Sequence, residues 1–268
     1  MFDPLLIHAH NPGPMTGAGN NTFLIAGENG LAVLVDAGVG DARHLDAIDA
    51  ALHERHARLG RVLVTHGHPD HASGAPALAA AHSHATFFKT PWAGQDEQYA
   101  VVWHPLIDGD IVSAGDEQLT AVATPGHSPD HLAFLHEPSR TIFTGDLVVL
   151  GSSVMIHSSR GGNLRDYMAS LERLLALEPR RLLPAHGPLV EDPHALLKSY
   201  LDHRRFRERQ VIAALRAGHS DVPAIAESIY DGLDPALLPA ARENVRAHLE
   251  KLEADGAASR DEGRWRLR

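Results

Sequence analysis

Val62-Leu63-Val64-Thr65-His66-Gly67-His68-Pro69-Asp70-His71 is the stretch on which the reading of this chain turns. The apolar residues predict a strand, and the polar run behind them predicts that the strand delivers ligands to a metal. His66 and His68 stand two apart, so from a strand end or its loop they can face the same way. Pro69 suits the first turn of a helix, which the Ala-rich segment through Ala81 continues, placing Asp70 and His71 at the helix start. In a chain with 20 His an isolated HxH says little, whereas HxHxDH is far more specific. The donors are imidazole and carboxylate and the chain has no Cys, so zinc suits the set best, with iron or manganese as alternatives.

One tetrahedral ion cannot use all of these donors, and a dinuclear site needs more of them. Three further strand ends offer one. Val122-Ala123-Thr124-Pro125-Gly126-His127 ends an apolar run in a Pro-Gly turn that aims His127 away from the strand. Thr141-Ile142-Phe143-Thr144-Gly145-Asp146 and Arg181-Leu182-Leu183-Pro184-Ala185-His186-Gly187 repeat the plan with Asp146 and His186.

In this order the residues resemble the metallo-β-lactamase superfamily of hydrolases. The resemblance implies that His66, His68 and His127 hold one metal, that Asp70, His71 and His186 hold the other, and that Asp146 bridges them. It implies an αββα sandwich, where periodicity alone gives only a mixed α/β domain. Leu34-Val35-Asp36-Ala37-Gly38 matches an early superfamily strand ending in Asp. Asp36 is then expected to fix a ligand imidazole through its free N–H, although an ordinary turn Asp reads alike. Two readings stay open for His131 in His127-Ser128-Pro129-Asp130-His131: a neighbour of the metals that contacts substrate or leaving group, or a strand-edge His without chemistry.

At 268 residues the chain can bury one large α/β core with a smaller appendage. No stretch approaches the ~18 consecutive apolar residues of a membrane span, and Met1-Phe2-Asp3-Pro4 lacks the basic start of a secretory signal, so a cytoplasmic enzyme is expected. Strands are expected at Asn21 to Ile25, Leu31 to Val35, Arg61 to Val64, Ala85 to Phe88, Leu119 to Ala123, Leu132 to Leu135 and Thr141 to Phe143. The clearest helices are Asp41 to Leu59, Pro69 to Ala81 and Asn163 to Leu177, the last with Leu164, Met168, Leu171, Leu174 and Leu175 at helical spacing.

Residues 1–194 are expected to form the catalytic domain and residues 195–268 a second module. Helices at Ala195 to Ala217, Val222 to Tyr230 and Leu237 to Asp255, then a hairpin from Ala258 to Arg268, resemble a winged helix; a three-helix cap is the plainer alternative. Residues 1–194 carry 11 Lys+Arg against 22 Asp+Glu, net −11, and residues 195–268 carry 13 against 12, net +1, giving the chain its −10. A long nucleic acid prefers a basic track, so a small-molecule substrate is the expected partner, with the module covering the active-site cleft or supporting a homodimer. The local cluster Arg204, Arg205, Arg207 and Arg209 reads as a solvated helix face, and a nucleic-acid contact would use it or Arg264, Arg266 and Arg268.

The expected chemistry is hydrolysis. Two zinc ions about 3.5–4 Å apart share a water, lower its pKa and polarise the substrate oxygen. The shared hydroxide is the expected nucleophile, with Asp146 bridging the ions and Asp70 orienting the water. Ester, thioester, lactam and phosphodiester substrates all suit it. Asn21-Thr22-Phe23-Leu24-Ile25, Thr124-Pro125-Gly126-His127 and Ala185-His186-Gly187-Pro188, with the winged-helix-like module, resemble most the β-lactamase-like protein 2 branch, which includes single-strand-specific endoribonucleases. Glyoxalase II, a thioester hydrolase, shares the metal motif but not this C-terminal pattern. The non-enzymatic alternative is a metal-sensing regulator.

Overall fold

A computed structural model describes residues 2–14 and 16–268. One sheet is built from β1 (Leu5–His8), β2 (Asn21–Ala26), β3 (Leu31–Val35), β4 (Arg58–Leu63), β5 (Thr86–Lys89) and β6 (Trp103–Pro105), in that spatial order. The other is built from β7 (Ile111–Ala114), β8 (Glu117–Ala123), β9 (Leu132–His136), β10 (Thr141–Gly145) and β11 (Arg181–Pro184), ordered β11-β10-β9-β8-β7. Strand periodicity sorts the residues between layers. Phe23, Ile25, Val33, Val35 and Leu63 meet Leu119, Ala121, Leu132, Phe134 and Phe143 in a core between the sheets. The alternate residues Leu24, Leu34 and Val62 pack outward with Ile48, Leu52 and Leu78, which lie on α1 (Ala42–Glu54) and α3 (Ala75–Ala81). On the far side Val122, Ala133, Leu135 and Ile142 pack against α4 (Leu164–Ala176) and α5 (Pro193–Arg216). The layers are therefore helix, sheet, sheet, helix, the expected αββα sandwich.

Two helices differ from their sequence reading. The expected helix Asp41 to Leu59 stops at Glu54, because His56 takes a left-handed turn at φ 50 and Leu59 enters β4 as a buried strand residue. The expected helix Pro69 to Ala81 splits into α2 (Pro69–Ala72) and α3. Gly74 lies at the break, where a Cβ would sit 2.1 Å from the carbonyl oxygen of Ala37, so the loop after β3 crosses the helix line there.

α5 is N-capped by Asp192, whose side chain accepts from the Ala195 amide. Its first half gives Leu197, Tyr200 and Leu201 to the catalytic core, while its second half gives Val211, Ala214 and Leu215 to another core. That second core includes Ile225 from α6 (Val222–Ile229), Val245, Leu249 and Leu252 from α7 (Leu238–Ala254), and Ala258 and Trp265 from the hairpin of β12 (Ala258–Asp261) and β13 (Arg264–Leu267). Three helices and a two-stranded wing match the expected module. The boundary expected at residues 194 and 195 falls in the first turn of α5, the helix shared by both cores.

Candidate metal centre

β3 pairs parallel with β4, and β10 pairs parallel with β11, so the C-terminal ends of each pair lie together. β8 and β10 are both antiparallel to β9 and therefore run the same way. The strand order thus gathers the turns after Val35, Leu63, Ala123, Gly145 and Pro184, which carry every residue expected at the site.

His66, His68 and His127 converge, with His66 Nε2 2.9 Å and His127 Nε2 3.0 Å from His68 Nδ1. Asp70, His71, Asp146 and His186 form a second group whose donor atoms all lie within 4.8 Å of one another. Asp146 faces both groups. Its Oδ1 lies 3.1 Å from His186 Nε2 and 3.3 Å from His71 Nε2, and its Oδ2 lies 3.5 Å from His127 Nε2. Solvent reaches the cluster from one side, since the Asp70 side chain is 24% exposed while that of His71 is fully buried.

Two glycines beside these residues are sterically required. Gly145 sits at φ 49, where a Cβ would be 2.7 Å from His131 Nε2. Gly126 sits at φ 128, and a Cβ there would be 2.2 Å from the Tyr167 amide nitrogen. A larger residue at either would displace the neighbouring Asp146 or His127.

Hydrogen bonds behind the ligand atoms set their orientation. Asp36, itself at φ 65, accepts His71 Nδ1–H at 2.9 Å on Oδ2 and the Thr65 amide and hydroxyl at 2.8 and 2.9 Å on Oδ1. Thr65 Oγ1 in turn stands 3.1 Å from His66 Nδ1. The Met155 carbonyl accepts His127 Nδ1–H at 3.2 Å, leaving Nε2 with its lone pair toward the cluster. His131 faces away from solvent. Its Nε2 accepts the Asp146 amide at 3.1 Å, so Nδ1–H donates to Thr124 Oγ1 at 2.8 Å, and the ring holds Asp146 in place with no face for substrate.

Several supporting residues were not expected at the site from sequence. Buried Asn20 donates to Asp70 Oδ2 at 3.2 Å and is held by an amide pair with Asn11. Its neighbour Asn21 grips the His186 turn by donating to the Pro184 and Gly187 carbonyls at 3.0 and 2.8 Å. Gly67 is held from both sides, its amide donating to Asp130 at 2.7 Å and its carbonyl accepting Tyr99 Oη–H at 2.8 Å. Fully buried Lys89 pairs with Asp130 at 3.0 Å and Asp96 at 2.6 Å. The adjacent Asn20-Asn21 amides were the one clue available in sequence. Lys89 lies far from any motif.

Removing Lys89 leaves buried carboxylates without their cation, and breaking a buried pair from one side costs about 3–5 kcal/mol. Lys89→Met is expected to lower unfolding stability by about 3 kcal/mol in urea titrations. A loss of only a few tenths would show that Asp130 and Asp96 are satisfied without it.

The electrostatics divide the two groups. Burial, then the neighbouring His71 and His68, holds His66 well below the usual imidazole range, and burial first of all lowers His68 to about 4. These rings present neutral lone pairs. Burial also opposes charge on His71 and His186, but the carboxylates of Asp146 and Asp70 outweigh it, raising His71 well above its ordinary value and His186 to about 9. Asp146 is likewise held low by His71 and His186 against its burial. Protons on the second group therefore stand where a cation's charge is wanted. Asp146 Oδ1 is buried and forms no well-aligned hydrogen bond, although His186 Nε2 and His71 Nε2 stand 3.1 and 3.3 Å away, as suits an atom and two rings that face a common metal ion.

An αββα sandwich carrying such a histidine–carboxylate cluster across the strand ends of both sheets defines a class of metal-dependent hydrolases. Residues 15–186 match the metallo-beta-lactamase superfamily, and residues 222–265 match the beta-lactamase associated winged helix domain. The chain belongs to the metallo-beta-lactamase superfamily and is a hydrolase of that family. It is 30% identical over 254 residues to a beta-lactamase-like protein 2 homolog of Caenorhabditis elegans, covering 93% of this chain and 84% of the relative. It is 35% identical over 213 residues to an atrochrysone carboxyl ACP thioesterase of Aspergillus fumigatus, covering 77% of this chain and 62% of the relative. Among solved structures, a metallo-beta-lactamase family protein from Thermus thermophilus superposes with a TM-score of 0.77 at 22% identity, covering 99% of this chain and 98% of that one. Another, solved in a di-iron-bound form, gives 0.56 at 27% identity over 76% of this chain and 98% of that one. No helix among the described residues is long and apolar enough to cross a membrane.

Proposed function

We propose that this chain is a dinuclear zinc hydrolase acting on a small carbonyl substrate, with a thioester as the first class to test. The observation that carries the reading is Asp146, whose two oxygens face the two groups of donors. His66, His68 and His127 would hold one ion, Asp70, His71 and His186 the other, and Asp146 both. When bound, the ions supply an acidified water for attack and positive charge for the oxyanion that develops.

The chain's own residues do the rest. Asp36, Met155 and His131 fix the imidazoles of His71 and His127 and the backbone of Asp146. Asp70, the most exposed of these carboxylates and steadied by Asn20, would orient a water. The Trp92 ring lies beside the cluster, its centroid 6.0 Å from that of His68.

Small substrates are favoured over a polyanion because three of the four arginines in the basic cluster are already engaged. Arg204 is buried, Arg205 pairs with Glu172 at 2.9 Å, and the Arg207 guanidinium lies 4.7 Å from the centre of the Tyr230 ring. The thioesterase name of one relative favours the thioester. Elemental analysis is expected to find about two zinc ions per chain, and a thiol-release assay is expected to show turnover that a chelator abolishes. A protein that holds no metal would overturn the reading of the site. Salt-sensitive cleavage of single-stranded RNA with no thioester turnover would overturn the substrate class.

A further inference from the structure

We propose that Arg204 is a positioning residue for His127, acting through the segment Val154-Met155, and that α5, the helix shared by both cores, thereby sets the geometry of the cluster. The proposal rests on the hydrolase reading above for its functional meaning, not for its structural content.

Residues 147–163 connect β10 to α4 and pass beside the cluster. Apart from a short 3-10 turn at Ser158–Arg160 they have no regular structure of their own. Side chains from helices hold them instead. Tyr167 Oη donates to the Leu147 carbonyl at 2.7 Å. Tyr200 Oη accepts the Val149 amide at 3.0 Å and lies 2.8 and 2.9 Å from the Val149 and Ser152 carbonyls. One helical turn later on α5, Arg204 Nη2 donates to the Val154 carbonyl. The next carbonyl, that of Met155, accepts His127 Nδ1–H. α7 grips the far end, with Glu250 accepting Ser158 Oγ–H at 2.5 Å and Glu243 accepting Ser159 Oγ–H at 3.0 Å.

Arg204 is an unusual residue to find here. It is 2% exposed, and among the described residues no carboxylate lies within ion-pair distance of it. Its guanidinium rests 5.2 Å from the centre of the Tyr167 ring, and its Nε has no partner. Burying a cation without a counter-charge is costly, and an apolar residue would fill the same space more stably. A planar, charged donor aimed at one carbonyl does what an apolar residue cannot: it fixes the peptide of Val154 and, through it, the direction of the Met155 carbonyl. That carbonyl selects the His127 tautomer, keeping the proton on Nδ1 and the lone pair on Nε2.

The test uses full-length Arg204→Met and Arg204→Lys proteins. Nitrogen-15 spectra of the histidine rings in metal-free protein are expected to show His127 protonated at Nδ1 in the parent and as a tautomer mixture in Arg204→Met. Zinc affinity of the His66, His68 and His127 group is expected to fall roughly tenfold, as for loss of a partner behind a ligand, with the second group's affinity unchanged. Arg204→Lys, which keeps a charged donor, is expected to recover part of both effects. A folded Arg204→Met protein with the parent tautomer and zinc affinity would overturn the proposal. Where Arg204→Met does not fold, Arg204→Gln carries the test: its shorter side chain stays polar but withdraws the charged donor from the Val154 carbonyl, and an unchanged His127 tautomer and zinc affinity there would overturn the coupling. A parent protein that binds no zinc defeats the hydrolase reading alone, because the tautomer readout needs no metal.

Discussion

Asp146→Asn is expected to lose both metal ions and roughly a thousandfold or more of turnover, the largest effect of any single substitution in this chain. The carboxylate faces donor nitrogens of both groups: Oδ1 lies 3.1 and 3.3 Å from His186 and His71, and Oδ2 lies 3.5 Å from His127. Asparagine has the same shape, but one oxygen becomes an amide that presents hydrogens to an ion, and the charge is gone. His131 should still hold the backbone in place, since its bond is to the Asp146 amide. The fold is therefore expected to persist while elemental analysis reads little metal. His186→Ala gives the contrast, losing about one ion because His186 belongs to one group. If Asp146→Asn retained two ions per chain, Asp146 would not be the bridge.

The convergence of these donors could be read in sequence because each of them ends a strand and sits in a run of local motif: HxHxDH after Val64, then Gly126-His127, Gly145-Asp146 and His186-Gly187. Strand ends are where parallel neighbours put their chemistry, so order along the chain predicted nearness in space. Asp36 was readable for the same reason. The layers were legible wherever one face alternated, as in Leu31 to Val35. Short strands such as Leu5–His8, Trp103–Pro105 and Ile111–Ala114 escaped, because three or four residues do not establish a period. Residues acting from behind the site escaped more completely. Lys89, Tyr99 and Asn11 reach it only through tertiary contacts, and Arg204 read as one of several arginines on a solvated helix face. His131 lay in a motif, yet sequence could not tell that its ring bonds to the Asp146 amide and the Thr124 hydroxyl.

The C-terminal module is expected to be separable from the catalytic part at one place and not at another, which two truncations distinguish. Removing residues 193–268 takes away Leu197, Tyr200 and Leu201, which are 0%, 5% and 3% exposed and pack against the layer formed by Tyr167, Leu171 and Leu174. Burial of each large side chain contributes about 1.5–3 kcal/mol, so three of them approach the roughly 5–15 kcal/mol margin of a whole domain. That protein is expected to be insoluble, or to unfold at a much lower Tm. Removing only residues 218–268 keeps α5, with Tyr200 and Arg204 still on Val149 and Val154. It deletes Glu243 and Glu250, freeing the segment around Ser158, and bares Val211, Ala214 and Leu215 on a helix with no partner layer. This shorter loss is expected to leave a folded catalytic part with weaker restraint on the loop and a tendency to associate through the bared helix. Soluble yield and thermal unfolding compare the two directly. A 1–192 protein as stable as the full chain would mean that α5 belongs to the module alone and that the catalytic core closes without it.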